Sequence, residues 1–348
     1  MSEPNDASNA NHDPTVGQLL GMVNSSWMSQ AICVAADLGI ADLLATGPKH
    51  IDELASAAGC HAPSLRRLMR ALVSLDICKE NAERTYELSH MGLHLQTGSA
   101  TSIRSWVIWW GKYLSPVWGN LSHSVKTGED ARSLVTGARG FGQLECDADR
   151  ASTFNLAMVE LTRLAAQGVV DSYDFSGMKQ IVDVGGGYGV LLAAILNAYP
   201  EMRGLLVDLT HAIDGARKHL TQLGVGERCE LVEESFFESV PVGADAYLLK
   251  SIIHDWDDDR SAIILRNCRR AMAENARLLL IEHIMPEQMQ ATGLHQTMAR
   301  LDLSMLVAHG ACERTEVQYR ELLTVSGFRL TRIVPVGMDF NVIEGIPC

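Results

Sequence analysis

The second half of the chain alternates between short β-rich runs and helical stretches, and this alternation restricts the fold more than any other feature. Strands that are joined by helices in this way form a parallel, doubly wound sheet with helices on both faces. The predicted fold class is therefore α/β, with a mostly parallel, Rossmann-like sheet in residues 171–348. The runs are, in order, QIVDV, RGLLVDL, CELVE, AYLLKSI and RLLLIEH.

Two further runs, FRLTRIVPV and FNVIEGI, follow near the end of the sequence. Only a few residues around Gly337 separate them, too few for a helical crossover. The two runs are therefore predicted to pair as an antiparallel hairpin.

The first half of the sequence is helical instead. The 348 residues exceed what one hydrophobic core usually organises, so two domains are expected. In residues 15–110, apolar residues recur every three or four positions, which predicts a helical, winged-helix-like domain. Residues 111–170 are predicted to be a helical connector that lines the substrate pocket. Aromatic side chains cluster where it begins, between Trp106 and Trp118. Residues 1–14 have no periodic pattern and are expected to be a disordered tail.

The winged-helix pattern would also fit DNA binding, through Arg66, Arg67 and Arg70 on its second helix. The net charge of −13 opposes contact with phosphate backbones and anionic membranes. We expect a dimer-forming unit here, and no nucleic-acid or membrane partner. The cysteines are scattered and form no C-x-x-C pair, and the N-terminal residues do not show a basic region followed by an apolar one. These features predict a cytoplasmic protein with reduced thiols.

A glycine-rich loop follows the first predicted strand of the sheet. Gly185, Gly187 and Gly189 allow a tight turn and close approach of a ligand at a helix N-terminus. Asp208 ends the next strand, where an acidic residue accepts hydrogen bonds from ribose hydroxyls. The G-x-G-x-G spacing with Asp183 ahead of it resembles motif I of class I S-adenosylmethionine-dependent methyltransferases, and the carboxylate suits a cationic ligand better than a pyrophosphate. A nicotinamide dinucleotide is the competing cofactor.

His254 lies at the end of the fourth predicted strand, in LLKSIIHDWDDD. Ligands of an open α/β sheet bind beyond the carboxyl ends of the strands, where Gly185, Asp208 and Glu282 also fall. A histidine there can take the proton of a phenol as its oxygen attacks a methyl group. Asp257, Asp258 and Asp259 open a helix and are expected to be structural.

The chain resembles the small-molecule O-methyltransferases of the caffeic acid and hydroxyindole O-methyltransferase type, including bacterial natural-product tailoring enzymes. The resemblance covers residue 15 to the end. It implies an N-terminal helical dimerisation domain, a homodimer, S-adenosyl-L-methionine as cofactor with S-adenosyl-L-homocysteine as product, and no metal. The motifs that carry it are DVGGGYG, LLKSIIHDWDD, LLLIEHIMPE, LDLSML and CERTEVQYRELLTVSGF.

The resemblance also implies roles for individual residues. His254 would be the general base, flanked and oriented by the carboxylates of Glu282 and Glu313. The cofactor would contact Asp183, Gly185, Gly187, Asp208, Leu209, Ser235, Phe236, Lys250 and Trp256. The acceptor would contact Trp109, Trp110, Tyr113, Phe154, Met158, Asp255, Ser304 and Met305.

The sequence departs from the family pattern in three places. Ser235 stands where many relatives have an aspartate for the adenine, Gly310-Ala311-Cys312 alters the segment before Glu313, and Ser304 replaces an asparagine that is often found there. The aromatic and methionine-rich residues favour a flat hydroxylated acceptor such as a phenazine or polyketide phenol. The alternatives are a winged-helix regulator that senses a metabolite, a methyltransferase-fold protein with other chemistry, and a nicotinamide oxidoreductase.

Overall fold

The computed structural model describes residues 14–138, 140–145 and 147–348, without the side chain of Glu145. The chain forms two compact units, the first running to Gly111 and the second covering Lys112–Cys348. The predicted tail, residues 1–14, lies outside the described residues apart from Pro14, where the first helix begins. No helix in the described ranges is long and apolar enough to cross a membrane.

The first unit packs helices against a small antiparallel sheet. Its elements are α1 (Pro14–Asp37), α2 (Ile40–Leu44), α3 (Ile51–Ala58), α4 (Ala62–Ser74), α5 (Arg104–Trp109), β1 (Lys49–His50), β2 (Cys78–Glu80) and β3 (Thr85–Leu88). The strands pair in the order β1-β3-β2. Pro63 lies in the first turn of α4, where its missing N–H costs no hydrogen bond. The predicted helix, turn, helix and wing are therefore present.

Helix α1 carries an apolar face that stays exposed. Its buried residues begin only at Cys33. Residues 16, 19, 20, 23 and 27 follow helical spacing, so they form one stripe, called the α1 stripe below. Its side chains are 56–68% exposed: Val16, Leu19, Leu20, Val23 and Trp27.

The second unit begins with short helices and one long one. A π-helical turn, Trp110–Leu114, spans the point where the two units divide. The helices that follow are α6 (Ser115–Trp118), α7 (Leu121–Thr127), α8 (Arg132–Thr136), α9 (Gly142–Glu145) and α10 (Ala148–Ser172).

The rest of the second unit is the predicted sheet with its helices. The strands are β4 (Gln180–Val184), β5 (Arg203–Asp208), β6 (Cys229–Glu233), β7 (Ala246–Lys250), β8 (Arg277–Met285), β9 (Arg314–Thr315), β10 (Phe328–Gly337) and β11 (Phe340–Pro347). The helices are α11 (Val190–Ala198), α12 (Thr210–Gln222), α13 (Asp258–Ala271), α14 (Gly293–His309) and α15 (Glu316–Val325). The strand order is β10-β11-β8-β7-β4-β5-β6, with β9 beside β8.

The pairing of these strands confirms the predicted fold class. Strands β4 to β8 pair in parallel, while β10 and β11 form the antiparallel hairpin. Apolar side chains fill both faces of the sheet, as expected when helices cover it on both sides. Val182 and Val184 point into one core with Leu249, whereas Ile181 points into the other with Leu279. Asp183 is a buried carboxylate inside this apolar strand.

Candidate active site

The candidate site lies where the sheet reverses its winding. Strands β4 and β7 are neighbours, yet the chain leaves β4 towards β5 on one side and returns to β7 on the other. The helices that follow the two strands therefore diverge, which opens a crevice beyond their carboxyl ends. The loop after β4 and the turn after β7 both contribute to it.

The loop Gly185–Gly189, called the cofactor loop below, needs its glycines. Gly185, Gly187 and Gly189 have φ values of 71°, 56° and 77°, a conformation that L side chains rarely adopt. A Cβ on Gly185 would lie 2.5 Å from Ile252 Cδ1, so the loop packs closely on the turn after β7. A Cβ on Gly187 would meet nothing within 4 Å. The backbone at Gly187 is thus open to a ligand.

Two carboxylates lie beside the cofactor loop, the buried Asp183 and the partly buried Asp208. Asp208 accepts hydrogen bonds from the N–H groups of Gly187 and Leu209, each 2.7 Å long. Burial raises the pKa of Asp208. Burial and the charge of Asp208 raise the pKa of Asp183 to about 7, against the opposing effect of Lys250. A cationic ligand would stabilise both carboxylates, so the residues present fit a cofactor with a positively charged amino acid end.

On the other side of the crevice, acidic side chains surround His254. Its Nδ1 lies 2.8 Å from Oε1 of Glu313 and 3.8 Å from Oε2 of Glu282, and its Nε2 lies 3.7 Å from Oδ1 of Asp255. Both glutamates therefore face the same ring nitrogen, which leaves Nε2 for an acceptor. We call His254, Asp255, Glu282 and Glu313 the base cluster.

The charges of the base cluster are strongly coupled. Burial opposes a charge on His254, but Glu313, Glu282 and Asp255 together raise its pKa to about 10. Burial raises the pKa of Glu282 to about 7 and that of Asp255 to about 6. Burial also acts on Glu313, but the charge of His254 and its hydrogen bond leave the pKa of Glu313 below its ordinary value. The imidazole and Glu313 thus form an ion pair at neutral pH when no ligand is bound.

The backbone around His254 is held by side chains from other strands. Oε1 of Glu282 accepts hydrogen bonds from the N–H groups of Ile252 and Ile253, at 3.0 and 2.9 Å. Arg314, 1% exposed, donates to the carbonyls of Ile253 and Trp256 and pairs with Asp258. The role of Arg314 in this turn was not predicted, because nothing in the sequence indicates that its side chain reaches back across the sheet.

The structure places the other predicted cofactor residues around the same crevice. Lys250 ends β7, and its Nζ lies 4.6 Å from the centre of the Phe340 ring. Burial lowers the pKa of Lys250 to about 8 although Glu282 and Asp183 oppose this. Trp256 packs edge-on against Phe237 and is grouped with Phe236 in one aromatic cluster. Ser235 lies beside it, and its Oγ accepts a hydrogen bond from the Phe237 N–H.

The predicted acceptor residues divide between the two units. Trp109 and Trp110 belong to the first unit and Tyr113 to the second. Phe154 and Met158 lie one turn apart on α10, so they share a face of that helix. Ser304 and Met305 lie on α14, which contacts the turn Ile253–Asp255.

Three side chains near the base cluster were not predicted as site residues: Arg132, Phe141 and His309. The Phe141 ring lies 5.1 Å from that of His309 and 5.7 Å from that of Phe154. Nε2 of His309 lies 3.4 Å from Oδ1 of Asp255. His309 directly precedes the Gly310 segment that departs from the family pattern, which is the one sequence signal near it.

The sheet order, the cofactor loop and its paired carboxylates define a class I S-adenosylmethionine-dependent methyltransferase. Residues 118–329 match the O-methyltransferase domain family, and residues 20–97 match the O-methyltransferase dimerisation domain. The protein belongs to this O-methyltransferase family, as the sequence resemblance implied. The cofactor is S-adenosylmethionine, so the nicotinamide alternative is not supported.

Individual relatives agree with this assignment. A phenazine O-methyltransferase of Lysobacter antibioticus is 40% identical over 335 residues, which cover 96% of this chain and 97% of that protein. The crystal structure of LaPhzM superposes with a TM-score of 0.93, at 40% identity over 96% of this chain and all of that one.

A third relative was solved with both ligands bound. It is an O-methyltransferase from neocarzinostatin biosynthesis in complex with S-adenosylmethionine and 2-hydroxy-5-methyl naphthoic acid. It has a TM-score of 0.79 at 30% identity, covering 92% of this chain and 96% of that one. These relatives do not support the regulator alternative.

Proposed function

We propose that the enzyme methylates a hydroxyl of a planar aromatic secondary metabolite, a phenazine or an aromatic polyketide, with His254 as general base. The observation that carries this proposal is the ion pair of His254 and Glu313 at 2.8 Å, in which both glutamates face Nδ1 and neither contacts the second ring nitrogen, Nε2. The relatives described above support the acceptor class, because one acts on a phenazine and another binds a naphthoic acid.

In the proposed mechanism, the residues of the chain position the reactants and move one proton. S-adenosylmethionine, when bound, supplies the electrophilic methyl group and leaves as S-adenosylhomocysteine. The acceptor O–H faces Nε2 of His254, which takes the proton as the oxygen attacks. Glu313 accepts from Nδ1–H throughout, so its charge fixes the tautomer and stabilises the imidazolium that forms. Holding both reactants in line supplies much of the rate.

The raised pKa of His254 has two opposing effects on proton transfer. The carboxylates that bring the pKa of His254 to about 10 also stabilise the imidazolium that forms when it takes the proton of a phenol, whose own pKa is about 10. The same carboxylates keep the imidazole protonated at neutral pH before the ligands bind, so His254 must lose that proton before it can act as a base. The positive sulfur of the cofactor opposes the imidazolium charge, so His254 should be less basic in the complex and neutral more of the time.

The test is a panel of hydroxylated phenazines, naphthols and anthraquinones with S-adenosylmethionine, with product mass as readout. We expect a single acceptor class to gain one methyl group. If S-adenosylhomocysteine raises the melting temperature but no acceptor of the panel is methylated, the acceptor class is wrong. If His254→Gln keeps normal turnover, the mechanism is wrong.

We further propose that residues 15–110 form the dimerisation domain of a homodimer, that residues 111–170 line the acceptor pocket, and that residues 171–348 bind the cofactor. The α1 stripe supports the dimer, because an exposed apolar stripe of this kind marks a protein interface. Leu20→Glu combined with Val23→Glu should reduce the particle mass from twice 38.0 kDa to the mass of one chain in analytical ultracentrifugation. Val242→Glu, at a site 75% exposed in the second unit, is the control. A dimer that survives the double substitution would contradict this interface.

A cytoplasmic location also remains a proposal. The cysteines within the described ranges are free thiols, as expected in a reducing compartment. Cys146 lies outside the described residues.

A further inference from the structure

Arg132 is a buried cation that the proposed mechanism does not use. It begins α8 and is 4% exposed. In the described part of the chain its one hydrogen bond runs from Nη1 to the carbonyl of Gly140, at 3.4 Å, and no carboxylate oxygen lies within 4.0 Å of its nitrogens. A buried charge without a paired partner is costly, so the position calls for an anion.

The surroundings of Arg132 place it at the acceptor side of the base cluster. The N–H of Ala131 donates to the carbonyl of Val307, two residues before His309. The carbonyl that Arg132 contacts belongs to Gly140, where a Cβ would lie 4.0 Å from the Trp256 ring. Asp255 acts on Arg132 electrostatically. His309 follows Val307 in this segment, and its Nε2 lies 3.4 Å from Oδ1 of Asp255, the same oxygen that lies 3.7 Å from Nε2 of His254. The segment of Arg132 therefore packs beside the residues on the Nε2 side of His254.

The nearby charges do not neutralise Arg132. Burial lowers its pKa to about 10, although the carboxylates of Asp255 and Asp130 oppose this effect. Asp255 already lies 3.7 Å from Nε2 of His254 and 3.4 Å from Nε2 of His309, and Asp130 accepts the N–H of Ser133.

A second guanidinium adds to the positive charge. Arg150 lies close enough to lower the pKa of Arg132. Arg150 forms an ion pair with Asp147 at 3.7 Å and donates from Nη1 to Oε1 of Gln143 at 3.2 Å, but its buried Nε has no hydrogen-bond partner among the described residues. Its guanidinium lies 5.0 Å from the centre of the Tyr113 ring. Two neighbouring guanidinium groups favour an anionic oxygen group between them, and a carboxylate matches their geometry.

We propose that Arg132, assisted by Arg150, binds a carboxylate on the acceptor, so that the enzyme prefers hydroxylated aromatic carboxylic acids. This subsite rests on the proposed function, since it takes His254 as the group that receives the hydroxyl. The acceptor would span from Nε2 of His254 to Arg132, with the carboxylate fixing which hydroxyl meets the base. Arg132 would thus be a specificity-determining residue.

Equilibrium binding tests the subsite without turnover. With S-adenosylhomocysteine present, a hydroxynaphthoate and the matching hydroxynaphthamide are titrated by calorimetry. The wild type should bind the acid about 10- to 100-fold more tightly than the neutral amide, because a charged hydrogen-bonded pair is lost with the amide. Arg132→Gln should bring this ratio close to one, and Arg132→Lys should keep part of it. Arg320→Gln, an exposed arginine paired with Glu316, should leave the ratio unchanged.

Two results would overturn the subsite: equal binding of acid and amide by the wild type, or a preference for the acid that persists in Arg132→Gln. The wild-type comparison stands even if Arg132→Gln does not fold. Product mass with S-adenosylmethionine separates the two proposals. If the acid binds tightly but no acceptor is methylated, the proposed function is wrong and the carboxylate subsite is supported. If acceptors are methylated but acid and amide bind equally, the proposed function is supported and the subsite is wrong.

Discussion

The cofactor loop and the base cluster use carboxylates in opposite ways. The carboxylate oxygens of Asp208 accept hydrogen bonds from the N–H groups of Gly187 and Leu209. Within the described ranges, neither Asp208 nor Asp183 has an ion-pair partner within 4.0 Å. Glu313 instead has its cation, His254, at 2.8 Å. The first arrangement is completed by a cationic ligand, and the second is complete without one. Under the proposed function, the same chemical group would therefore serve binding on one side and proton transfer on the other.

The largest effect should come from His254→Gln, which removes the base and leaves the cofactor loop untouched. Turnover should fall by about 10²- to 10⁴-fold, because the imidazole that takes the proton is lost. Affinity for S-adenosylhomocysteine, measured by calorimetry, should stay within twofold. His123→Gln, a partly exposed histidine of α7, is the control. A comparable loss of cofactor affinity would show that the two regions are not separable.

Asp208→Asn should have the converse effect. Loss of the charge should weaken S-adenosylmethionine binding by about 10- to 100-fold, with little change in turnover at saturation, since charge-assisted hydrogen bonds are lost. Asp245→Asn is a matched control, because Asp245 also accepts two backbone N–H groups, those of Lys179 and Gln180, at the other end of the sheet. If Asp245→Asn weakens the cofactor equally, the effect of Asp208 is only structural.

Glu313→Gln should change the pH dependence of the reaction. The charge of Glu313 is the largest influence that raises the pKa of His254, so its removal lowers that pKa. The base is neutral only above its pKa, and the rising limb of kcat/KM against pH should therefore move to lower pH. Turnover on the plateau should fall about tenfold because the imidazolium loses its partner. An unmoved limb would mean that another group controls the profile.

The smallest effect should come from Gly187→Ala. Its φ of 56° makes any side chain strained by about 1 kcal/mol, although the space around it is open. Gly177→Ala is the matched control, with a φ of 82° and equally open space. Both should lower the melting temperature by a similar amount, while only Gly187→Ala weakens S-adenosylhomocysteine binding. If both variants bind S-adenosylhomocysteine equally well, Gly187 does not contact the cofactor.

Much of the fold was predictable because local pattern and tertiary structure agree. The runs predicted as strands are β4 to β8, and FRLTRIVPV and FNVIEGI pair as β10 and β11. Where strands are buried on both faces, the pattern of apolar residues and the flanking glycines are sufficient to predict them. The order of the strands also follows from the family resemblance, so the positions of Gly185 and His254 at one edge could be expected.

The details of the candidate site were less predictable. That Glu282 and Glu313 face the same nitrogen of His254 depends on side-chain rotamers and on the backbone turn at Ile252, which spacing does not specify. Arg132 was missed because an arginine in a polar helical stretch is normally solvated. Only packing against residues far along the chain, such as Val307, shows that its segment is buried.

The insertion of β11 between β8 and β10 has a consequence for how the enzyme is made. Asn341 of β11 lies opposite Glu282 of β8, so the strand that carries Glu282 stays an open edge until the ribosome has synthesised Phe340–Pro347. An unpaired, apolar strand of this kind is prone to aggregation. Because β8 ends at Met285 and β11 begins at Phe340, the nascent chain must keep this edge of β8 protected while residues 286–339 are synthesised.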